Sequence, residues 1–372
     1  LGVLEANCPH RQASLSYGRN EECGLRCIYH GWKFDVEGKC VDLPSEPNAS
    51  QKMRDKIKIA SYPAVERSGA IWIYMGPKDK MPAPPEYEWA RFSKDQTAAI
   101  KRFQPCNYAQ ALEGGIDSAH IFFLHRDFPG AKKTNSGPNN IHGKFASECR
   151  NPEFSVNETD YGLQIIAKRA LEDIDDVYYR VTQFMVPCFQ MIPPILVEGR
   201  LQTTPVTGNV WVPIDDHNTW NWGFSSDVAP LSELQRERLG PEGIWGDLNE
   251  NFHAYQNEEN RYQFDLERQR KTNFSGIHGV RNQDAAVVES MGPIVDRTKE
   301  NLGHSDTGIV MFRRLMLRLA DELENGNEPE AAMRPESFNI RSVSVILDKA
   351  EDLQAVLPKL AAGEPISAEA AE

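Results

Sequence analysis

Seven cysteines and nine histidines are scattered over 372 residues, yet three of the cysteines and two of the histidines fall inside residues 7–34, NCPHRQASLSYGRNEECGLRCIYHGWKF. Four of these stand as Cys8-x-His10 and, after sixteen intervening residues, Cys27-x-x-His30. Thiolate and imidazole suit zinc or iron–sulfur clusters. A structural zinc finger favours CxxC pairs with a spaced pair of histidines, which is not the order here. A [2Fe–2S] centre held by two cysteines on one iron and two histidines on the other asks that each of two loops deliver one Cys and one His. Cys8/His10 and Cys27/His30 do so on either side of a hairpin.

A second group of ligand types lies in EGGIDSAHIFFLH, residues 113–125. Asp117 and His120 are i,i+3 and are expected to share one helix face. His120 and His125 are i,i+5, roughly 140° apart on a helix of 3.6 residues per turn. Both reach one ion only if the helix ends or loosens into a π-type turn near Phe122–Leu124. Two histidines and one carboxylate make a facial triad that leaves positions open on Fe(II) for O2 beside a substrate. A lone histidine on an apolar helix is more often a core residue, so this pair gains its meaning from the Cys/His loops upstream.

The elements that must position these groups change along the chain. Residues 1–76 alternate short strand signals with Gly and Pro, as in RCIYHGWKFD before VEGK and in AIWIYMG, which predicts a small all-β domain. A proline-rich linker is expected over 77–92. Residues 93–360 predict an antiparallel-sheet domain, with helical spacing over 107–125 and strands in LQIIAKRA, VYYRVTQFMV, GNVWVPI and TWNWGFSS. Polar helical sequence covers 231–270, and an amphipathic helix is expected over 307–326, closing at Gly326. The tail 361–372 has too few apolar residues to pack and is expected to be disordered. The fold class is therefore α+β.

A formal net charge of −13 argues against a general nucleic-acid binder and against anionic membrane surfaces. No apolar run reaches the ~18 residues a spanning helix needs. An odd number of cysteines in a chain this long gives no disulfide framework and points to a reducing cytoplasm. The Asn-x-Ser/Thr triplets at Asn48, Asn157 and Asn273 then carry no glycan. The chain opens LGVLEANCPH, without Met or a basic leader, so a preceding piece with strands completing the first domain is expected.

Carried by Cys8, His10, Arg11, Cys27, His30, Gly31, Trp32 and Phe34, the pattern C-x-H-R…C-x-x-H-G-W-x-F resembles that of the Rieske non-haem iron oxygenases. High-potential respiratory Rieske loops each add a disulfide-forming Cys, and a Ser follows their second His-Gly. CPHRQ and CIYHGW show neither feature, and Cys23 and Cys40 are expected to pack. The family pattern E-x-x-x-D-x-x-H-x-x-x-x-H is matched by Glu113, Asp117, His120 and His125. LEGGIDSAH and residues 276–306 resemble the phthalate 4,5-dioxygenase-like branch, with Gly114 and Ala119 where many members of the wider family have Asn and Tyr.

The resemblance implies a [2Fe–2S] cluster on Cys8, His10, Cys27 and His30, in a domain followed by a helix-grip-like catalytic domain. It implies mononuclear Fe(II) on His120, His125 and Asp284, with Glu289 and Asp296 as rival carboxylates. Asp117 would bridge His30 of one subunit and His120 of the next, in a head-to-tail trimer or stacked trimers. An NAD(P)H-dependent flavin and iron–sulfur reductase would deliver electrons, since the chain has neither GxGxxG nor a plant-type ferredoxin cysteine run. O2 and a small aromatic substrate complete a hydroxylation or cis-dihydroxylation.

A pocket on the sheet would be lined by alternate residues of LQIIAKRA and YYRVTQFMVPCFQMIPP. Phe184, Phe189 and Met191 suit an aromatic ring, or serve as ordinary core. Lys168, Arg169 and Arg180 are candidates for gripping a carboxylate, with a solvated strand face as the alternative. The competing functions are an electron carrier with one kind of iron, a structural zinc protein, and an O-demethylating monooxygenase that uses the same ligands.

Overall fold

The computed structural model describes residues 1–128, 145, 148–171, 175–196, 199–240 and 244–363. The chain forms two compact units, Leu1–Met81 and Pro82–Glu372.

The first unit is built from short antiparallel strands. β1 (Val3–Leu4) pairs with β6 (Ser61–Tyr62). A meander joins β2 (Arg19–Glu21), β3 (Gly24–Arg26), β4 (Lys33–Phe34) and β5 (Cys40–Asp42). β7 (Ala64–Arg67) and β8 (Ala70–Ile73) form a hairpin over Ser68–Gly69. Both turn residues have positive φ, 51° and 75°, the mirror-image turn whose twist matches that of the strands. Helix α1 (Gln51–Lys56) starts at Ser50, whose hydroxyl accepts from Met53 N at 3.2 Å. Strands this short bury little by themselves. A single core of Leu15, Phe34, Leu43 and Ile59, closed by Cys8, Cys27 and Trp32, ties the loops to the strands.

The second unit is organised by one nine-stranded antiparallel sheet. Its main path runs β10 (Glu153–Glu158), β11 (Gly162–Ala170), β12 (Asp176–Met185), β13 (Phe189–Ile192), β15 (Val206–Pro213), β16 (Thr219–Ser226) and β9 (Thr97–Gln104). One edge of β12 is shared: β17 (Val343–Asp348) takes its first half and β13 its end. β14 (Leu201–Gln202) pairs with β17 in turn. Side chains alternate across the sheet. One face of β11, β12 and β17 presents Ile166, Val181, Val343, Val345 and Leu347 to helix α8 (Leu353–Ala361), through Leu353, Leu357 and Leu360. Ala167, Arg169, Tyr178 and Arg180 occupy the other face, by the registers Ala167↔Arg180 and Arg169↔Tyr178.

Among the helices, α2 (Tyr108–Ile116) lies on β13 and β15. The remainder are α3 (Ile121–Leu124), α4 (Glu233–Leu239), α5 (Leu266–Lys271), α6 (Val280–Glu289) and α7 (Thr307–Glu324). The last ends as expected, with Gly326 at φ 83°. Among the described residues no helix is long and apolar enough to cross a membrane.

Three expectations need adjusting. The stretch 77–92 divides between the units, and its second half is not a free spacer. Tyr87 and Trp89 are buried, stacked 5.1 Å apart, with Trp89 also stacked on Phe224 at 4.0 Å. Among the described residues, the polar stretch 231–270 is helical only in α4, a 3-10 segment Glu258–Gln263 and α5. Asn side chains compete for the backbone there: Asn249 Oδ1 accepts from Asn251 N and His253 N. Of the tail 361–372, Ala361 ends α8, and residues 364–372 lie outside the described residues.

Gly115 sets how closely α2 approaches the sheet. A Cβ there would meet the Trp211 ring at 2.4 Å and Gln190 Oε1 at 2.9 Å. Gly115→Ala should therefore lose about 1–3 kcal/mol to overpacking, despite alanine's better helix propensity. Denaturant unfolding of the variant, followed by tryptophan fluorescence, checks this; an unchanged or raised midpoint contradicts the close approach.

Candidate metal centres

The two Cys/His loops of the first unit are the same turn used twice. Cys8 O accepts from Gln12 N at 2.8 Å, and Cys8 N donates to Ala13 O at 2.8 Å. Cys27 O accepts from Gly31 N at 3.0 Å, and Cys27 N donates to Trp32 O at 2.9 Å. The fourth residue after each cysteine is left-handed, Gln12 at φ 61° and Gly31 at φ 78°. Arg26 anchors the second loop, donating to Gly31 O at 2.6 Å, Asp42 at 2.8 Å and Glu21 at 2.8 Å.

Ligand types come together at the loop tips. Cys8 and Cys27 are both buried, and burial first, then the neighbouring Cys27 thiol, push the Cys8 thiol up against a lowering by the His10 backbone N–H. The His10 and His30 rings stand edge to face, 4.5 Å apart, with Trp32 stacked on His10 at 4.3 Å. His10 Nδ1 is buried with no hydrogen-bond partner among the described residues. A buried unsatisfied nitrogen is costly unless a ligand completes it, so two thiols beside two imidazoles fit a Cys2His2 [2Fe–2S] cluster. Of the neighbouring cysteines, Cys40 packs against this core, as expected. Cys23 does not: it is exposed, at φ 62°, in the tight β2–β3 turn.

In the second unit the helix break comes earlier than expected. α2 ends at Ile116, and Asp117 is extended, at φ −78° and ψ 125°. Asp117 and His120 therefore do not share a helix face. The Asp117 carboxylate instead accepts from Ala119 N at 2.6 Å, a local turn that competes with the helix. α3 is a single turn with His120 at its start and His125 just past its end, and this brings the rings together without a π-type turn.

His120 Nε2 lies 3.1 Å from His125 Nε2. Asp284, one turn into α6, puts Oδ1 3.0 Å from His125 Nε2 and 3.7 Å from His120 Nε2. All three ligand atoms lie within 4.8 Å of one another, a group that can hold a metal ion. The donor set, two imidazoles and one carboxylate, fits non-haem Fe(II). Burial opposes ionisation of Asp284, but the adjoining histidines and Arg281 hold its carboxyl down at about 2. The His120 ring is raised above its usual range: burial opposes the charge, and Asp117 and Asp284 outweigh it. Asp117 Oδ2 is 3.4 Å from His120 Nδ1, and Gln283 Oε1 is 2.7 Å from His125 Nδ1.

Neither rival carboxylate joins the group. Glu289 is buried further along α6 and accepts from Tyr262 Oη at 2.6 Å. Asp296 starts a 3-10 turn and pairs with Lys299 at 3.0 Å. Glu113 is taken by Arg313, at 2.8 Å through two nitrogens, and by Arg297 at 3.0 Å, which clamps α2 to α7.

A cavity of about 240 Å³ opens beside the group. It is lined by Asp284, Arg281, Arg102, Asn221, Trp211 and Trp245 among others, from β9, β15, β16, α2 and α6 rather than from β11 and β12. The sequence missed its polar walls. Arg281 donates to Asn209 at 3.1 Å, Asn209 to Gln190 at 3.3 Å, and Gln190 to Gly115 O. Arg102 donates to Asn282 at 2.7 Å and to Trp245 O at 3.2 Å. The only local signal was the run Arg281-Asn282-Gln283-Asp284.

The substrate candidates separate by strand face. Lys168 pairs with Glu153 at 2.9 Å on an exposed surface. Arg169 and Arg180 are buried on the opposite face. Phe184 packs edge to face on Phe312 of α7, and Phe189 on Tyr87, so both are core, as is the buried Met191.

Comparison with known proteins covers both units. Residues 1–63 match the Rieske [2Fe-2S] domain family, and residues 73–368 match the LigXa C-terminal domain like family. The chain is 41% identical to the phthalate 4,5-dioxygenase oxygenase subunit of Pseudomonas putida, over 85% of this chain and 72% of that protein. It is 32% identical to the 3-chlorobenzoate-3,4-dioxygenase oxygenase subunit of Comamonas testosteroni, over 88% of this chain and 77% of that one. Dicamba monooxygenase bound to dicamba shares the fold, with a TM-score of 0.58 at 18% identity and 88% of each chain covered. With both halves matched and the two ligand groups assembled, the chain belongs to the Rieske non-haem iron oxygenases, as an oxygenase component that carries a [2Fe–2S] cluster and a mononuclear iron.

Proposed function

We propose that the protein hydroxylates or cis-dihydroxylates an aromatic carboxylate, with Cys8, His10, Cys27 and His30 holding the cluster and His120, His125 and Asp284 the iron. The observation that carries the substrate class is a pair of buried guanidiniums, Arg169 and Arg180, ion-paired to no described acid. Arg169 donates to Ser118 O at 2.6 Å and to Ser118 Oγ at 3.2 Å, and its Nη1 has no partner among the described residues. Arg180 donates to Pro193 O at 3.3 Å, and its Nε has none. No described carboxylate makes an ion pair with either. Burial first, and then the charge of Arg180, push Arg169 down to about 10. The charge of Arg180 also reaches the His120 ring. Two buried cations without a described ion-pair partner, the charge of Asp117 on Arg169 being outweighed by burial and by Arg180, favour an anionic substrate group.

When bound, the two metal centres supply one-electron transfer and O2 reduction. The chain's own residues set the geometry. Asp284 stays ionised at neutral pH as the anionic ligand, and Arg169 and Arg180 hold the substrate's carboxylate from β11 and β12, beyond the walls of the cavity that Arg102 and Arg281 line. Asp117 keeps His120 oriented and links it to His30 of a neighbouring subunit in a head-to-tail trimer. A ring hydroxylation consumes O2, two electrons and two protons, placing one oxygen in the ring and releasing the other as water; cis-dihydroxylation places both in the ring. Electrons come from an NAD(P)H-dependent flavin and iron–sulfur reductase, and the site of action is the cytoplasm. The ligand set serves mono- and dioxygenation alike.

Arg169→Gln and Arg180→Gln should each weaken binding of phthalate by roughly 10- to 100-fold, the loss of a hydrogen bond to a charged group. Binding of the neutral dimethyl ester should hardly change. Calorimetric titration measures both, and phthalate affinity untouched in both variants contradicts the carboxylate reading. Turnover under labelled O2 then gives the number of oxygen atoms incorporated.

The two metal groups should also fail separately. Cys27→Ser is expected to abolish the reduced Rieske EPR signal while leaving Co(II) binding at the triad. Asp284→Ala is expected to do the reverse, weakening Co(II) binding and sparing the signal. Loss of both properties in either variant counts against two independent sites.

A further inference from the structure

One neighbour of the triad is uncharged. Gln283 precedes Asp284 in α6 and is completely buried. Its Nε2 donates to Ile277 O at 2.9 Å, and its Oε1 lies 2.7 Å from His125 Nδ1. The amide cannot turn over. Ile277 O is a carbonyl, which only accepts, and it also receives Asn273 Nδ2 at 2.9 Å. The NH2 end of Gln283 is therefore committed to Ile277, and the oxygen is left for the histidine. An amide oxygen also only accepts, so His125 Nδ1 must carry the hydrogen. In the neutral ring, Nε2 then holds the lone pair, aimed at the point shared by His120 Nε2 and Asp284 Oδ1.

We infer that Gln283 is a positioning residue that locks His125 as the Nδ1–H tautomer, ready to bind Fe(II) through Nε2. One helix thus delivers the anionic ligand and, one residue earlier, the acceptor that orients a second ligand. His120 reaches the same tautomer through a carboxylate, Asp117, at 3.4 Å. The two imidazoles are consequently unequal donors, because a carboxylate raises ring basicity more than an amide does. The inference rests on the assignment of His125 and Asp284 as iron ligands.

The test uses the full chain with its cluster intact and Co(II) as the probe. Gln283→Met keeps the length and removes both polar atoms, whereas Gln283→Glu keeps an oxygen for His125. Both delete the bond to Ile277 O. Loss of an outer hydrogen-bond partner costs about 10- to 100-fold in metal affinity, so the Met variant should bind Co(II) that much more weakly while the Glu variant stays near the parent. Equal weakening of both would make Gln283 merely a brace for the Asn273–Ile277 loop and overturn the inference, as would no weakening in either. A measurement on the parent protein does not depend on variants folding. With Zn(II) bound, nitrogen NMR of labelled histidine should show His125 protonated at Nδ1 and coordinated at Nε2, and the opposite tautomer overturns the inference. His125→Ala serves as the control: undiminished Co(II) binding there faults the ligand assignment itself, and this inference with it.

Discussion

Three electron-rich atoms, His120 Nε2, His125 Nε2 and Asp284 Oδ1, are held within 4.8 Å of one another. Two lone pairs and a carboxylate gain little from such crowding without a cation between them. The surrounding fold therefore has to impose it. The means are visible on three sides: the extended Asp117 that stops α2, the one-turn α3 that swings both histidines to the same point, and α6, which brings the carboxylate from more than 150 residues away. The polar sheet face beneath serves the same constraint. Gln190 ties Gly115 at the end of α2 to Asn209, and Arg281 at the start of α6 closes the chain.

The first unit solves a different problem with less material. Its strands are two to four residues long, too short to define a loop by their own pairing. Instead, each ligand loop bonds to itself across the same five-residue span, and a shared core holds both. The offset of the histidine, two residues after Cys8 but three after Cys27, is where the two turns depart from each other.

How legible this was depended on where the information resides. Ligand identity and spacing are local, so both metal groups and the strand segments stood out in the sequence, and Asp284 was preferred over Glu289 and Asp296. The position of the helix break was less accessible, because a side-chain bond from Asp117 to Ala119 N decides it. Strand alternation separated Lys168 from Arg169 but left open which of the two is buried, a choice made by Ser118 and Pro193, distant in sequence, which meet Arg169 and Arg180. Arg102, Asn209 and Gln190 carried no local signal, and Gln283 none beyond its place before Asp284: a polar residue on a strand or helix looks solvated until its distant partners are known. Phe184 was ambiguous for the same reason, its partner Phe312 lying far along the chain.

The run Arg281-Asn282-Gln283-Asp284 has a mechanical consequence. Successive side chains on a helix point about 100° apart, so these four fan around nearly the whole axis of α6, each engaged on a different side: Asn209, Arg102, His125 and the triad. The helix cannot roll in either direction without disturbing all four engagements at once. The position of the Asp284 oxygen and the orientation of the opposing imidazole are thus two outputs of a single rotation, and the sheet pins that rotation from outside the group of three.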